Sequence, residues 1–168
     1  MDIRDAREAD AGGILRIYND AVANTTAIWN DQLASLESRL AWIGERKQSG
    51  CPVLVAAEGT DILGYASFGA FRPWDGYRHT VEHSVYVSGA ARKRGIGHAL
   101  MDELIARARA MEKHVMIAGI EATNAPSLKL HARLGFAKVG HLCAVGRKFD
   151  RWLDLVFMQL MLDGEHQG

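Results

Sequence analysis

Apolar positions along the chain change period several times, and each change marks a new element. A short alternating run predicts a strand over Ile3–Arg7. From Asp10, a plausible helix N-cap, the residues Ile14, Leu15, Ile17, Tyr18 and Val22 recur at helical spacing. The stretch NTTAIWNDQ breaks that pattern and reads as a loop. A second helix is predicted from about Leu33 to Arg46, ended by Gly50 and Pro52. In PVLVAAEGTDILGYASFGAF, two β-rich runs flank Gly59-Thr60-Asp61, which predicts a hairpin. Thr80–Ser88 supplies a third antiparallel strand.

The segment after RKRGIG places Ile96, Leu100, Leu104, Ile105, Ala108 and Met111 at core spacing, so a long helix is expected to about Lys113. HVMIAGIEAT (114–123) has the apolar density of a buried strand. A short helix over Pro126–Leu134 stops at Gly135, and two strands, 137–148 and 152–162, finish the pattern. The order β-α-α-β-β-β-α-β-α-β-β predicts the α+β class, an α/β three-layer arrangement with a mixed, mostly antiparallel sheet and helices on both faces.

Composition narrows the picture without changing it. A chain of 168 residues with no repeat, linker or low-complexity tract reads as a single domain, 1–168. Twenty basic and twenty acidic side chains cancel, which argues against a nucleic-acid-coating or membrane-bound surface. MDIRDAREAD lacks the build of a signal peptide, and no apolar run reaches the ~20 residues that span a bilayer. A cytoplasmic location is expected. Cys51 and Cys143 have no metal-like spacing and are expected to be idle or buried reduced thiols, with no metal at the site.

RKRGIG carries the first chemical signal. Its three cations and two glycines stand where a strand gives way to a helix. The first N–H groups of that helix lack intrahelical partners, its dipole is positive there, and glycine lets a ligand approach the backbone. These features describe an anion site, with phosphate the usual occupant. The third glycine of the Rossmann fingerprint and the Gly-Lys-Ser/Thr of a P-loop are both absent, which disfavours NAD and ATP.

Arg92-x-x-Gly95-x-Gly97 resembles the pyrophosphate loop of the GNAT acetyltransferases, and NAPSLKLHARLGF (124–136) resembles their later Asn-containing helix. VEHSVYVS, NAPSLKLHARLGF and GRKFDRWLDLVFMQ are similar, more narrowly, to the phosphinothricin and methionine sulfoximine or sulfone N-acetyltransferases, in matching order over nearly the whole chain. The resemblance implies a cleft where two neighbouring strands splay apart around acetyl-CoA. It assigns Val85, Tyr86 and Val87 to the pantetheine arm. Arg92 and the loop Lys93, Arg94, Gly95, Ile96, Gly97, His98 go to the pyrophosphate, and Asn124 and Ser127 to further cofactor contacts.

Acyl transfer to an amine requires a neutral nitrogen, and an amine of pKa about 8 is mostly protonated at neutral pH. In strict alternation Glu82 shares a strand face with Ser84 and Tyr86, opposite Val81, His83, Val85 and Val87. The resemblance gives Glu82 the role of general base. It puts His131 where many relatives carry a tyrosine that protonates the departing thiolate, a packed histidine being the other reading. FRPWDGYRH brings Arg72, Trp74, Asp75, Gly76 and Tyr77 together just before that strand, and Trp29 could wall the same pocket. Arginine suits a carboxylate, phosphinate or sulfone oxygen. The implied acceptor is the α-amino group of methionine sulfoximine, methionine sulfone or phosphinothricin. Two alternatives stay open: another amine (an aminoglycoside, a polyamine or a protein N-terminus), or a non-catalytic acyl-CoA-binding sensor. RWLDLVFMQLML is too apolar for a free edge, so it is either an internal strand or a subunit contact. The resemblance implies a homodimer.

Overall fold

The computed structural model describes residues 1–164. Seven strands and four helices follow the expected order: β1 (Asp2–Asp5), α1 (Ala11–Asn24), α2 (Leu36–Gln48), β2 (Val53–Glu58), β3 (Asp61–Ala70), β4 (Thr80–Val87), α3 (Ile96–Ala110), β5 (Val115–Glu121), α4 (Ala125–Arg133), β6 (Ala137–Lys148) and β7 (Arg151–Met161). They form one sheet in the order β1-β2-β3-β4-β5-β7-β6. Every pairing is antiparallel except β4 with β5, which are joined through α3.

Two apolar layers explain why β2 is buried along nearly its whole length. Leu54 and Ala56 join the cluster under α3, with Leu100, Met101, Leu104 and Phe68. Val53, Val55 and Ala57 face the opposite way, against Ile14 and Ile17 of α1 and Ile43 of α2. A central strand covered by helices on both sides needs apolar residues at every position. The Gly59–Thr60 turn, with Gly59 at φ +59°, closes the β2–β3 hairpin where two residues suffice.

Local chemistry moves several boundaries. β1 ends at Asp5 instead of Arg7, because the Arg7 N–H is taken by the Asp10 carboxylate at 2.7 Å. That carboxylate also accepts two bonds from Arg4, at 2.7 and 2.9 Å, so Asp10 bolts β1 to the start of α1 and makes no cap bond of its own to α1. α2 begins at Leu36 instead of Leu33, since the Ser35 hydroxyl accepts the Ser38 N–H and fixes the N-cap there. α3 ends at Ala110, three residues short of Lys113. β7 is internal, with Leu153, Val156, Met158 and Leu160 buried, although Trp152 near its start is exposed, as are Val139, Leu142 and Val145 of edge strand β6. Cys143 is exposed and Cys51 half-buried; both are free thiols. No helix among the described residues is long and apolar enough to cross a membrane.

Candidate active site

The β4–β5 ladder is short. It joins Thr80 to Val115, Val81 to Met116 and Glu82 to Ile117, and then stops. Beyond Glu82, β4 continues along β3 as far as Val87 while β5 continues along β7 to Glu121. The strands therefore part at Glu82, and the edge of β4 over residues 83–87 has no strand beside it on the β5 side. Such an edge offers free N–H and C=O groups to an extended ligand.

A groove of about 1110 Å³ runs from that edge to the start of α3. Left-handed backbone at Lys93 (φ +64°) and Gly95 (φ +75°) curls the chain into the helix. The first bond of α3 runs from Ala99 N–H to Gly95 O, 3.0 Å, which leaves the amides of Ile96, Gly97 and His98 outside the helical ladder. Of the twelve residues expected to hold the cofactor, eleven border this groove. The exception is Arg94, whose guanidinium is paired with Glu58 at the end of β2. Lys129, Arg133 and Arg151 also line it. The first two stand one helical turn apart on α4, a spacing that the sequence displays but that the loop motif overshadowed.

The groove opens into a chamber of about 320 Å³, the two sharing Ala27, Val85, Tyr86, Glu121, Asn124 and Ser127 in their walls. Glu82 lies in the chamber wall. Its β3 partner is Gly69, and a Cβ on Gly119 of β5 would stand 3.3 Å from Glu82 Oε1. The glycine on β5 thus keeps space around the carboxylate. Burial raises the Glu82 carboxyl above the usual carboxylate range, opposed by the Arg72 charge. Burial likewise pushes the Tyr86 hydroxyl up to about 12, with the Tyr18 and Glu82 charges adding to it. For Glu121, burial works upward, but hydrogen bonds from Thr123 and Thr26 prevail and hold it below the ordinary value.

Alternation sends His83 to the other face of β4, where its ring stacks on His131 of α4 with centroids 5.0 Å apart. His131 Nδ1 is 2.7 Å from the Ser127 carbonyl oxygen, so that nitrogen carries the proton and donates. The bare Nε2 then accepts from His83 Nε2–H at 3.0 Å. His83 Nδ1 is left buried without a partner among the described residues. Burial depresses both rings, His83 to about 3, where the nearby His131 adds to the effect. His131 is therefore neutral with both nitrogens engaged, and donating a proton to a thiolate would require one of these two bonds to break.

The expected acceptor residues lie outside the chamber wall. Arg72 is exposed, its guanidinium 5.0 Å from the Phe71 ring centroid. The Trp74 and Tyr77 rings pack at a tilt, centroids 6.3 Å apart, on an exposed turn that also holds Asp75 and Gly76. Trp29 packs against Gly146 of β6 and donates its indole N–H to Thr26 O, 2.8 Å. Arg46 of α2, which carries no local sequence signal, does line the chamber. One trio could share a metal ion, His141, Cys143 and Asp154, whose ligand atoms lie within 4.8 Å of one another; it borders neither groove nor chamber.

Residues 3–157 match the model of the acetyltransferase (GNAT) domain. An L-methionine sulfoximine/L-methionine sulfone acetyltransferase of Pseudomonas aeruginosa is 56% identical, over 96% of this chain and 94% of its own. An L-amino acid N-acyltransferase of Escherichia coli is 53% identical, over 97% and 95%. Among solved structures, an acetyltransferase of Salmonella typhimurium with its cofactor acetyl-CoA superposes with a TM-score of 0.96 at 51% identity, covering 100% of this chain and 97% of that one.

Proposed function

The chain belongs to the GNAT acetyltransferase family and is an N-acetyltransferase, and from that premise we propose that it acetylates the α-amino group of a small amino acid of the methionine sulfone or sulfoximine type, with acetyl-CoA as donor and Glu82 as general base. One observation carries the reading: a carboxylate raised by burial stands at the fork of β4 and β5, where the groove meets the smaller chamber. The close relatives named above act, by their names, on amino acids or methionine analogues.

The residues fit the donor. The N–H groups at the start of α3 suit a diphosphate, and the unpaired β4 edge suits the amides of a pantetheine arm. Arg92, Lys93, Lys129, Arg133 and Arg151 give the groove the cationic lining that a nucleotide phosphate requires. Acetyl-CoA supplies an activated acyl carbon and a thiolate leaving group. Glu82 takes one proton from the incoming ammonium, the freed nitrogen pair forms the amide bond as the carbon–sulfur bond breaks, and the second nitrogen proton leaves with the thiolate as the CoA thiol. A thiol of pKa about 8.5 leaves readily, so positioning of the reacting atoms outweighs acid assistance. His131 holds the cleft wall as a neutral ring bonded to His83 and Ser127. Arg72, whose charge acts on Glu82, meets the far end of the acceptor.

Thiol release from acetyl-CoA tests the reading across a panel of methionine sulfone, methionine sulfoximine, phosphinothricin, a polyamine and an aminoglycoside. The amino-acid analogues are expected to exceed the polycations in kcat/KM by about 100-fold or more. Equal rates, or release with none of them, would contradict it.

The same reading includes a homodimer. Val139, Leu142, Val145, Phe149 and Trp152 are exposed large apolar side chains on β6 and next to it, at the sheet edge, a liability that a second subunit removes. Light scattering should give twice the 18.5 kDa of the chain. The double variant Val139→Lys, Trp152→Lys should shift toward the monomer, whereas a monomeric wild type would rule the dimer out.

A further inference from the structure

Arg46 is the only cation in the chamber wall, and no acid among the described residues forms an ion pair with it. It reaches from the last turns of α2 onto β3, where a Cβ on Gly69 would overlap its guanidinium. Gly69 is the strand partner of Glu82, so the guanidinium stands over the β3 residue that pairs with the proposed base. Its guanidinium carbon stands 5.8 Å from the Trp42 ring centroid. Nε is buried with no hydrogen-bond partner among the described residues.

The contrast with other arginines is informative. Arg4 is paired with Asp10, Arg94 with Glu58, and Arg107 with Asp5 and Glu103. Arg39, whose Nε is also buried and unpartnered, stacks on Tyr18 at 4.2 Å and does not border the chamber. Neither chamber acid serves Arg46. Glu121 accepts from Thr123 and Thr26 and not from Arg46, and Glu82 lies beyond ion-pair distance, the Arg72 charge being the one that opposes the rise of its pKa. A half-buried guanidinium without a counter-ion is costly to maintain unless a ligand supplies one.

We infer that Arg46 binds the carboxylate of the acceptor through its paired donors, and so makes the chamber selective for α-amino acids over amines that lack that group. The inference rests on the amino-acid reading above. Its stereochemical logic is simple: the carboxylate and the amine hang on one carbon, so an anion site beside Gly69 and a base at Glu82 hold the two groups of a single α-amino acid. A guanidinium fork matches a carboxylate in two parallel bonds, which a lysine cannot reproduce.

The test compares methionine sulfone with the decarboxylated amine that keeps the sulfone, in wild type, Arg46→Met and Arg46→Lys, with thermal unfolding and acetyl-CoA affinity measured alongside. The wild type should prefer the amino acid by about 100-fold in kcat/KM. In Arg46→Met the preference should fall to within a few-fold, by loss on the amino acid and not on the amine. Arg46→Lys should keep part of it. Either variant retaining the full preference while folded overturns the inference. Wild-type acetylation of the amine as fast as the amino acid also overturns it, whereas thiol release with neither compound overturns the acceptor reading itself.

Discussion

Glu82→Gln is expected to lower kcat/KM by about 10²- to 10⁴-fold, the usual contribution of a positioned general base, while leaving acetyl-CoA affinity unchanged. Glutamine preserves the shape and the hydrogen-bonding reach of the side chain, and Gly119 beside it leaves room for either. What it removes is the ability to accept a proton. Glu82 borders the chamber and not the groove, so the donor should bind as before. The pH profile gives the same residue a second signature. Burial raises its carboxyl, which makes it a stronger base than a free glutamate and sets the acid limb of kcat/KM above the ordinary carboxylate range. Activity is lost as pH falls through that limb, because a protonated Glu82 cannot take the amine proton. Arg72 opposes the rise, so Arg72→Met should move the limb to still higher pH. A limb that ignores both substitutions would assign the base elsewhere.

Gly95→Val is expected to weaken acetyl-CoA binding by about 100-fold, as read by calorimetry, through two linked effects. The left-handed backbone at Gly95 (φ +75°, ψ 7°) costs an L-residue about 1–2 kcal/mol, and a β-branched side chain more. Relief comes by rotating the loop, which turns the amides of Ile96, Gly97 and His98 away from a shared focus and forfeits charge-assisted hydrogen bonds to phosphate. Space is not the obstacle, since a Cβ at Gly95 meets nothing within 4 Å. Gly97→Ala is the control. Its φ lies outside the left-handed range, and the added methyl would stand 3.4 Å from Leu130 Cδ2, an ordinary contact. A small effect there and a large one at Gly95 separates backbone conformation from crowding.

Much of this arrangement was legible in the residues because it depends on local patterns. The Gly59–Thr60 turn, the two-sided burial of β2 and the alternation along β4 all follow from period and turn chemistry, and the resemblance carried by Arg92–Gly97 and Asn124–Phe136 pointed to the family to which the chain belongs. The departures come from contacts between distant parts of the chain. Asp10 has the sequence features of an N-cap, yet Arg4 and the Arg7 amide claim its carboxylate. Arg94 sits in the basic loop, yet Glu58 across the hairpin draws it out of the groove. Arg46 looks like any solvated residue near the end of a helix. Only the packing of α2 over β3, with no side chain at Gly69, turns it into the chamber. The pairing of His83 with His131 spans 48 positions and leaves no trace in spacing.

The most direct measurement is a crystal structure of this chain with CoA and methionine sulfone. The account predicts the diphosphate against the amides of residues 93–98, the pantetheine arm along β4 from Val85 to Val87, and the acceptor nitrogen within hydrogen-bond reach of Glu82, directly or through one water. A diphosphate seated away from the start of α3, or an acceptor nitrogen facing away from the fork of β4 and β5, would contradict it.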